Sequence, residues 1–347
     1  YYGNPSSNHP YGLKMRQAVE TAREQAASLV DCDPAELYFT SGGTEANNLA
    51  IRGLAAAKPE RRHVITSVIE HPATLEPCST LESQGYRLDI VPVDETGRVE
   101  PYRLQQAVSP DTLLVTIVHA NSETGSLQPV RELADIAHAG GALMHSDAAQ
   151  SAGKIPVSVK RDSLDLLSIA GHKLYAPQGV GALYVRSGVK ISPVLTGAGH
   201  EKGLRPGTEN VASIVGLGRA CEIAENELER ESRRVRLLRD RLWAQLKEGI
   251  PGLALNGHVE LRLPNTLNVR FPGVSGNHLL EACSAIAAST GSACHESGES
   301  ASAVILAMGI EPGEALGSVR LTLGRSNTEK QVNCAALALI ESWRELV

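Results

Sequence analysis

The chain lacks the cysteine pairing that a disulfide framework or a structural zinc would need. Its six cysteines, Cys32, Cys78, Cys221, Cys283, Cys294 and Cys334, form no C-x-x-C, and none stands beside histidines at zinc-finger spacing. No metal site is therefore expected, and thiols scattered through 347 residues read as reduced, which suits a cytoplasmic protein. No uninterrupted apolar run reaches the ~20 residues of a membrane helix. There is no long basic run and the net charge is -6, which argues against direct nucleic-acid binding. Internal repeats and low-complexity tracts are absent. The first residues, Tyr1-Tyr2-Gly3-Asn4-Pro5, contain neither an initiator methionine nor a signal-peptide pattern, so the natural N-terminus is expected further upstream.

What is present is a 42% hydrophobic composition, enough for one large α/β domain or two domains. Short apolar runs alternate with helical patterns through the first two thirds. Strands are predicted at Leu37–Thr40, His63–Ser67, Leu88–Val93, Leu113–Val118, Ala142–His145 and Leu166–Ile169, with helices such as Met15–Val30 and Glu45–Ala57 between them. That alternation predicts a mostly parallel sheet with helices on both faces. The run Gly179–Val185 follows too closely on Leu166–Ile169 for a crossover, so an antiparallel partner is expected there. From Ala220 to Lys247 a charged segment carries Val235, Leu238, Leu242 and Leu246 on one stripe. It reads as a long helix between a large domain, residues 1–228, and a small α+β C-terminal domain, residues 229–347. Strands at Leu267–Phe271 and Val319–Leu323 and helices at Asn277–Ile286 and Thr328–Trp343 are predicted in that second part.

The chemistry gathers at predicted strand ends. Lys173 follows Leu166–Ile169, and an amine there can condense with an aldehyde cofactor. Asp147 follows another strand, where a carboxylate can hold a pyridine nitrogen protonated and make the ring an electron sink. Gln150, three residues on, can donate to a phenolic oxygen. Gly42-Gly43-Thr44 opens a helix, so the glycines, the Thr44 hydroxyl and free helix N–H groups can receive a phosphate. His172 and Thr208 are further phosphate donors. His71 can lie flat on a ring and move protons near neutral pH. Asn121 can orient substrate or the phenolic oxygen, and Arg320 can clamp a carboxylate with two parallel hydrogen bonds. Cys294 sits among small polar residues, as an accessible nucleophilic thiol would. The other cysteines mostly read as packing residues. Singly, each has an ordinary reading as a helix cap, loop residue or surface side chain; the combination is what points to chemistry.

Eight runs carry a resemblance: Gly3–His9 (GNPSSNH), Phe39–Ile51 (FTSGGTEANNLAI), His119–Gly125 (HANSETG), His145–Pro156 (HSDAAQSAGKIP), Gly171–Arg186 (GHKLYAPQGVGALYVR), Arg205–Asn210 (RPGTEN), Ser289–Cys294 (STGSAC) and Val319–Glu329 (VRLTLGRSNTE). In this order they resemble the cysteine desulfurases of the NifS/IscS group, within the class V aminotransferase family of fold-type I pyridoxal-phosphate enzymes. The resemblance implies an aspartate-aminotransferase-like fold, a large domain with a mostly parallel seven-stranded sheet and a small α+β C-terminal domain carrying the catalytic cysteine. It implies pyridoxal 5'-phosphate held by Lys173, with His71 on the ring, Asp147 at the ring nitrogen, Gln150 at the phenolic oxygen, and Gly43, Thr44 and His172 around the phosphate. Thr208 would reach the phosphate of the other subunit of a homodimer. Asn121 and Arg320 would face an L-cysteine substrate. Cys294 would take its sulfur as a persulfide, leave alanine, and pass the sulfur to an acceptor such as an iron–sulfur scaffold protein.

Two departures stand out. Ala170 replaces a serine that commonly donates to the phosphate two residues before the histidine, a net loss of about 1 kcal/mol that a water can offset. The family's opening strand and the Asn-Ala-Ala-Thr-like turn that lines the substrate site would lie before Gly3. Selenocysteine lyase, whose loop the run Cys294–Ser300 also resembles, is the alternative enzyme. A catalytically impaired sulfur-transfer scaffold is the alternative outside enzymes.

Overall fold

The computed structural model describes residues 2–291 and 300–347. The chain divides into two compact units. The first comprises residues 1–91, 101–119 and 129–228, and the second residues 92–100, 120–128 and 229–347.

The first unit is built on a seven-stranded sheet. Its strands are β1 (Leu37–Thr40), β2 (His63–Ser67), β3 (Arg87–Val91), β4 (Thr112–Thr116), β5 (Leu143–Asp147), β6 (Leu166–Ala170) and β7 (Gly181–Val185), in the order β1-β7-β6-β5-β4-β2-β3. All neighbours are parallel except those of β7, which runs antiparallel to both β6 and β1. The expected antiparallel partner is therefore present. Strands β2, β4, β6 and β7 are buried along their whole length, as a sheet covered on both faces requires. The edge strand β3 has an exposed or half-buried residue at four of its five positions.

Helix α1 (Pro10–Leu29) precedes β1, and helices α2 (Gly43–Ala57), α3 (Pro72–Ser83), α4 (Pro101–Ala107) and α5 (Val130–Ala139) lie between successive strands from β1 to β5. In α2 the buried positions Ala46, Leu49, Ala50, Gly53 and Leu54 recur every three or four residues. Of these, Ala46, Leu49, Ala50 and Leu54 pack with Val64, Leu114, Leu166 and Leu183 of the sheet. A fully buried leucine contributes about 1.5–3 kcal/mol, so this face alone fixes α2 on the strands. Because β1, β2, β4, β5 and β6 all run the same way, their C-terminal ends share one edge, where open α/β sheets bind ligands.

The second unit holds a three-stranded antiparallel sheet of β8 (Ala254–Asn256), β9 (Thr266–Arg270) and β10 (Ser318–Thr322), in the order β10-β9-β8. The long helix α6 (Val211–Gly249) begins in the first unit and ends in the second. Its expected apolar stripe, Val235, Leu238, Leu242 and Leu246, is buried against Leu267, Val269, Val319 and Leu339. Helices α7 (Gly276–Ala282), α8 (Ala303–Ala307), α9 (Pro312–Ala315) and α10 (Glu329–Leu346) complete the unit. Thr328 caps α10 in a reciprocal capping box with Gln331. The expected helix Asn277–Ile286 stops four residues early, where Cys283 leaves helical geometry at ψ 67°.

Cys78, Cys221 and Cys283 are buried, Cys32 is half-buried and all are free thiols; Cys334 on α10 is exposed, so it is not a packing residue. Among the described residues no helix is long and apolar enough to cross a membrane.

Candidate active site

The strand-end edge of the first unit collects eight of the expected site residues. Asp147 is the last residue of β5 rather than a residue after it, and it is buried. Its Oδ1 accepts the Ala149 N–H at 2.8 Å, and its Oδ2 accepts the side-chain amide of Asn47, on α2, at 2.8 Å. The carboxylate is thus aimed by two donors from different elements. Beneath it, His145 bridges Thr116 Oγ1 at 2.7 Å and Ser168 Oγ at 3.0 Å, joining β4, β5 and β6. Burial pushes this imidazole down to about 3, so it is a neutral strut.

Gly42 and Gly43 open α2. No side chain caps this helix end, and Gly42 has φ +150°, which favours glycine. The first turn therefore keeps its N–H groups available. A Cβ on Gly43 would lie 3.2 Å from the Cβ of Ala170, so residue 170 faces this turn and brings no hydroxyl to it. Thr44 is exposed beside it. Glu45 accepts the Ser41 N–H at 2.6 Å and pairs with Arg205 at 3.0 Å, tying the run that contains exposed Thr208 to the start of α2.

Lys173 and His172 lie on the one-turn helix Gly171–Leu174 that follows β6, and both are exposed. Lys154 stands next to them. Its Nζ donates to the backbone O of Gln150 at 2.9 Å and to Gln150 Oε1 at 3.2 Å. With the oxygen so engaged, Gln150 has its NH2 group left to offer. Burial, then the charge of Lys173, pushes the Lys154 ammonium down to about 8. Desolvation, then the charges of Lys173 and Lys154, holds the His172 ring below the usual histidine range. Three basic side chains thus lie close enough for their charges to act on one another, an arrangement suited to an anionic ligand.

His71 caps α3: its Nδ1 accepts the Ala73 N–H at 3.0 Å. The ring is exposed, and when neutral it carries its proton on Nε2. The preceding Glu70 is buried. Its Oε1 accepts the Val118 N–H at 2.8 Å and the Ser67 hydroxyl, while Oε2 has no partner among the described residues. Burial pushes its carboxyl up to about 8; those two hydrogen bonds oppose the shift and the charge of Asp147 adds to it.

Asn121 and Arg320 belong to the second unit. Asn121 is buried and its Oδ1 accepts the N–H groups of Glu123 and Thr124, each at 2.9 Å, so its oxygen shapes its own turn. Arg320, half-buried on edge strand β10, donates from Nη1 to Ser122 O at 3.1 Å. Cys294 lies outside the described residues.

Sequence reasoning assigned no role to Asn47, Lys154, Glu70 or Glu123. Three signals were available: Asn47 stands one turn after Thr44, Lys154 four residues after Gln150, and Glu70 directly before His71.

The sequence profile of the family described as Aminotransferase class-V matches residues 1–334. The chain belongs to the class V aminotransferases. Enzymes of this family are pyridoxal-phosphate-dependent. This class V aminotransferase is 44% identical over 349 aligned residues to a cysteine desulfurase of Nostoc sp. (strain PCC 7120), covering 100% of this chain and 86% of that one. It superposes on a NifS-like protein with a TM-score of 0.91 and 38% identity, covering 98% of this chain and 91% of the other. A structure described as SspA in complex with cysteine matches at a TM-score of 0.81 and 33% identity, covering 93% and 91%. The α/β architecture with a mostly parallel seven-stranded sheet is that of the NifS-like structures.

Proposed function

We propose that this class V aminotransferase is a pyridoxal-phosphate-dependent L-cysteine desulfurase. The observation that carries the reading is its likeness, along the whole chain, to a protein named cysteine desulfurase. That name favours cysteine over selenocysteine as substrate. The residues at the strand-end edge fit the cofactor: a carboxylate aimed by Asn47 and Ala149, an uncapped helix start at Gly42-Gly43, and the basic group of Lys173, His172 and Lys154.

The cofactor, when bound, supplies an electron sink for the substrate. In this reading Lys173 holds it and carries the Cα proton, Asp147 pairs with the ring nitrogen, and His71 lies against the ring. Gln150 donates its NH2 to the phenolic oxygen. Gly43, Thr44 and His172 hold the phosphate, and Thr208 serves the phosphate of the partner subunit in a homodimer. Asn121 and Arg320 bind substrate, Arg320 through its carboxylate. The Cys294 thiolate attacks the substrate sulfur. The carbon–sulfur bond breaks, its electron pair stays with the carbon fragment, and that fragment leaves as alanine once protonated. The sulfur remains on Cys294 as a persulfide, ready for an acceptor protein such as an iron–sulfur scaffold. A reducing compartment such as the cytoplasm suits this thiol chemistry.

The test is mass spectrometry of the cofactor-loaded protein after exposure to L-cysteine, with alanine release followed in parallel. A gain of one sulfur mapped to Cys294, lost in Cys294→Ser while the yellow colour remains, is the expected result. A colourless protein that takes up no added cofactor, or alanine release only from selenocysteine that survives Cys294→Ser, overturns it.

A further inference from the structure

The ladder between β2 and β4 pairs the two strands as far as Thr66 with Thr116. Beyond that point Val68, just past β2, donates to Val91 O of β3 at 3.1 Å, and a side chain takes over the link to β4. Glu70 Oε1 accepts the Val118 N–H at 2.8 Å and, at 2.5 Å, the hydroxyl of Ser67, the last residue of β2. The residues flanking Val118 face the other way. Ile117 donates to His145 O at 3.1 Å and His119 to Asp147 O at 2.9 Å. The three residues after β4 are thus held between Glu70 on one side and the end of β5 on the other.

A second route runs from the same turn. His71 follows Glu70, and its carbonyl accepts the Thr74 N–H at 2.8 Å in the first turn of α3. Thr74 Oγ1 lies 3.3 Å from Asn47 Nδ2, which donates to Asp147 Oδ2 at 2.8 Å. His71 is therefore connected to Asp147 twice. One path passes through Glu70, Val118 and His119 to the Asp147 backbone, and the other through Thr74 and Asn47 to its carboxylate. Glu70, Thr74, Asn47 and Asp147 are all buried, so these bonds are shielded from water. Glu70 makes its link without adding charge. Burial pushes its carboxyl up to about 8, so near neutral pH it is mostly an uncharged acid and Asp147 is left as the anion.

We propose that Glu70 is a positioning residue: as the acceptor shared by Val118 and Ser67, it fixes the turn bearing His71 against the strand end bearing Asp147, so that one cofactor ring can meet both. The proposal rests on the reading of His71 and Asp147 as the residues that take the ring. Glu70→Leu fills the space but strips the acceptor from two donors, leaving the His71 turn without its tie to the end of β4. Glu70→Gln keeps an oxygen for both donors and restores the tie.

The experiment titrates the apoprotein of each variant with pyridoxal phosphate and records the visible circular dichroism of the bound cofactor. That band reports how asymmetrically the ring is held, whereas the melting temperature, followed in parallel, reports stability. Glu70→Leu is expected to bind cofactor more weakly, by about fivefold or more, and to show a reduced band per bound cofactor. Glu70→Gln is expected to stay close to the native protein in both. A Glu70→Leu protein with native affinity and band overturns the proposal even if it melts earlier, since that is the mark of packing alone. Glu70→Gln failing as Glu70→Leu does also overturns it, because the accepting oxygen is then not what matters. Should Glu70→Leu not fold, Ser67→Ala decides, since it removes one of the two donors that aim Glu70: a reduced band supports the proposal and a native band with native affinity sinks it. His71→Ala separates the proposal from the reading beneath it. A band unaltered in His71→Ala takes His71 away from the ring, and the proposal falls with that reading; a band lost in His71→Ala but intact in Glu70→Leu removes the proposal alone.

Discussion

Asn47 donates its side-chain amide to the Asp147 carboxylate at 2.8 Å, linking the first turns of α2 to the end of β5. The same amide nitrogen lies 3.3 Å from Thr74 Oγ1, on α3. One buried asparagine therefore sets the orientation of the acid proposed for the ring nitrogen. Replacing it leaves Asp147 with the Ala149 N–H alone. Losing one hydrogen bond to a charged group costs about 1.5–3 kcal/mol, so Asn47→Leu is expected to weaken cofactor affinity by about tenfold or more. Titrating apoprotein with pyridoxal phosphate and following absorbance measures it. Unchanged affinity would mean that Asp147 needs no support from α2.

Glu70 gives the apoprotein a slope of stability with pH. Its carboxyl sits at about 8 in the fold against an ordinary 4.5. Between those values the folded state binds a proton that the unfolded chain has released, so stability falls as pH rises through that window. Glu70→Gln removes this titration and should flatten the melting temperature of apoprotein between about pH 5 and pH 8. A slope that persists in the variant assigns it to another group.

Lys154 acts in the opposite sense. Its ammonium is pushed down to about 8 from 10.5, so over that interval the unfolded chain binds more protons and stability rises with pH. Lys154→Met should abolish this alkaline rise. It also frees Gln150 Oε1, so cofactor affinity should drop several-fold while Lys154→Arg retains most of it. Equal affinities for native protein and Lys154→Met would show that Gln150 is held by other means.

Much of this architecture is legible in the residues. β1 and β2 fall where their apolar runs lie, because both are short, buried and bounded by polar turns. β8 escapes such reading: three residues, two of them half-buried, carry no period. Residues 92–100 and 120–128 join the second unit through pairings such as Ser126 with Arg262, which local pattern cannot reveal. At the site, the residues that would touch cofactor are marked by glycines, strand ends and charge. Their supports are not. Asn47 and Lys154 lie on elements whose sequence explains them as helix face and loop, and only the fold brings Asn47 to Asp147 across 100 positions.

Gly153 shows how tightly the turn bearing Gln150 and Lys154 is pressed onto the turn bearing Lys173. It has φ +69°, and a Cβ there would lie 2.3 Å from Leu174 Cδ2 and 2.9 Å from Ala224 Cβ. Leu174 is buried and adjoins Lys173, so its side chain can turn aside only against packed neighbours, and any larger shift moves the one-turn helix. Gly85, with φ +87° and nothing within 4 Å of its would-be Cβ, isolates the backbone contribution. Alanine at positive φ costs on the order of 1 kcal/mol. Overpacking a buried contact adds about 1–3 kcal/mol more. Gly85→Ala should therefore lower the melting temperature slightly and leave cofactor uptake intact. Gly153→Ala should lower it further and weaken cofactor binding as well, because crowding Leu174 presses on the turn that carries Lys173. Equal losses in the two variants, with cofactor affinity untouched, would mean that the Lys173 turn is not braced by this contact.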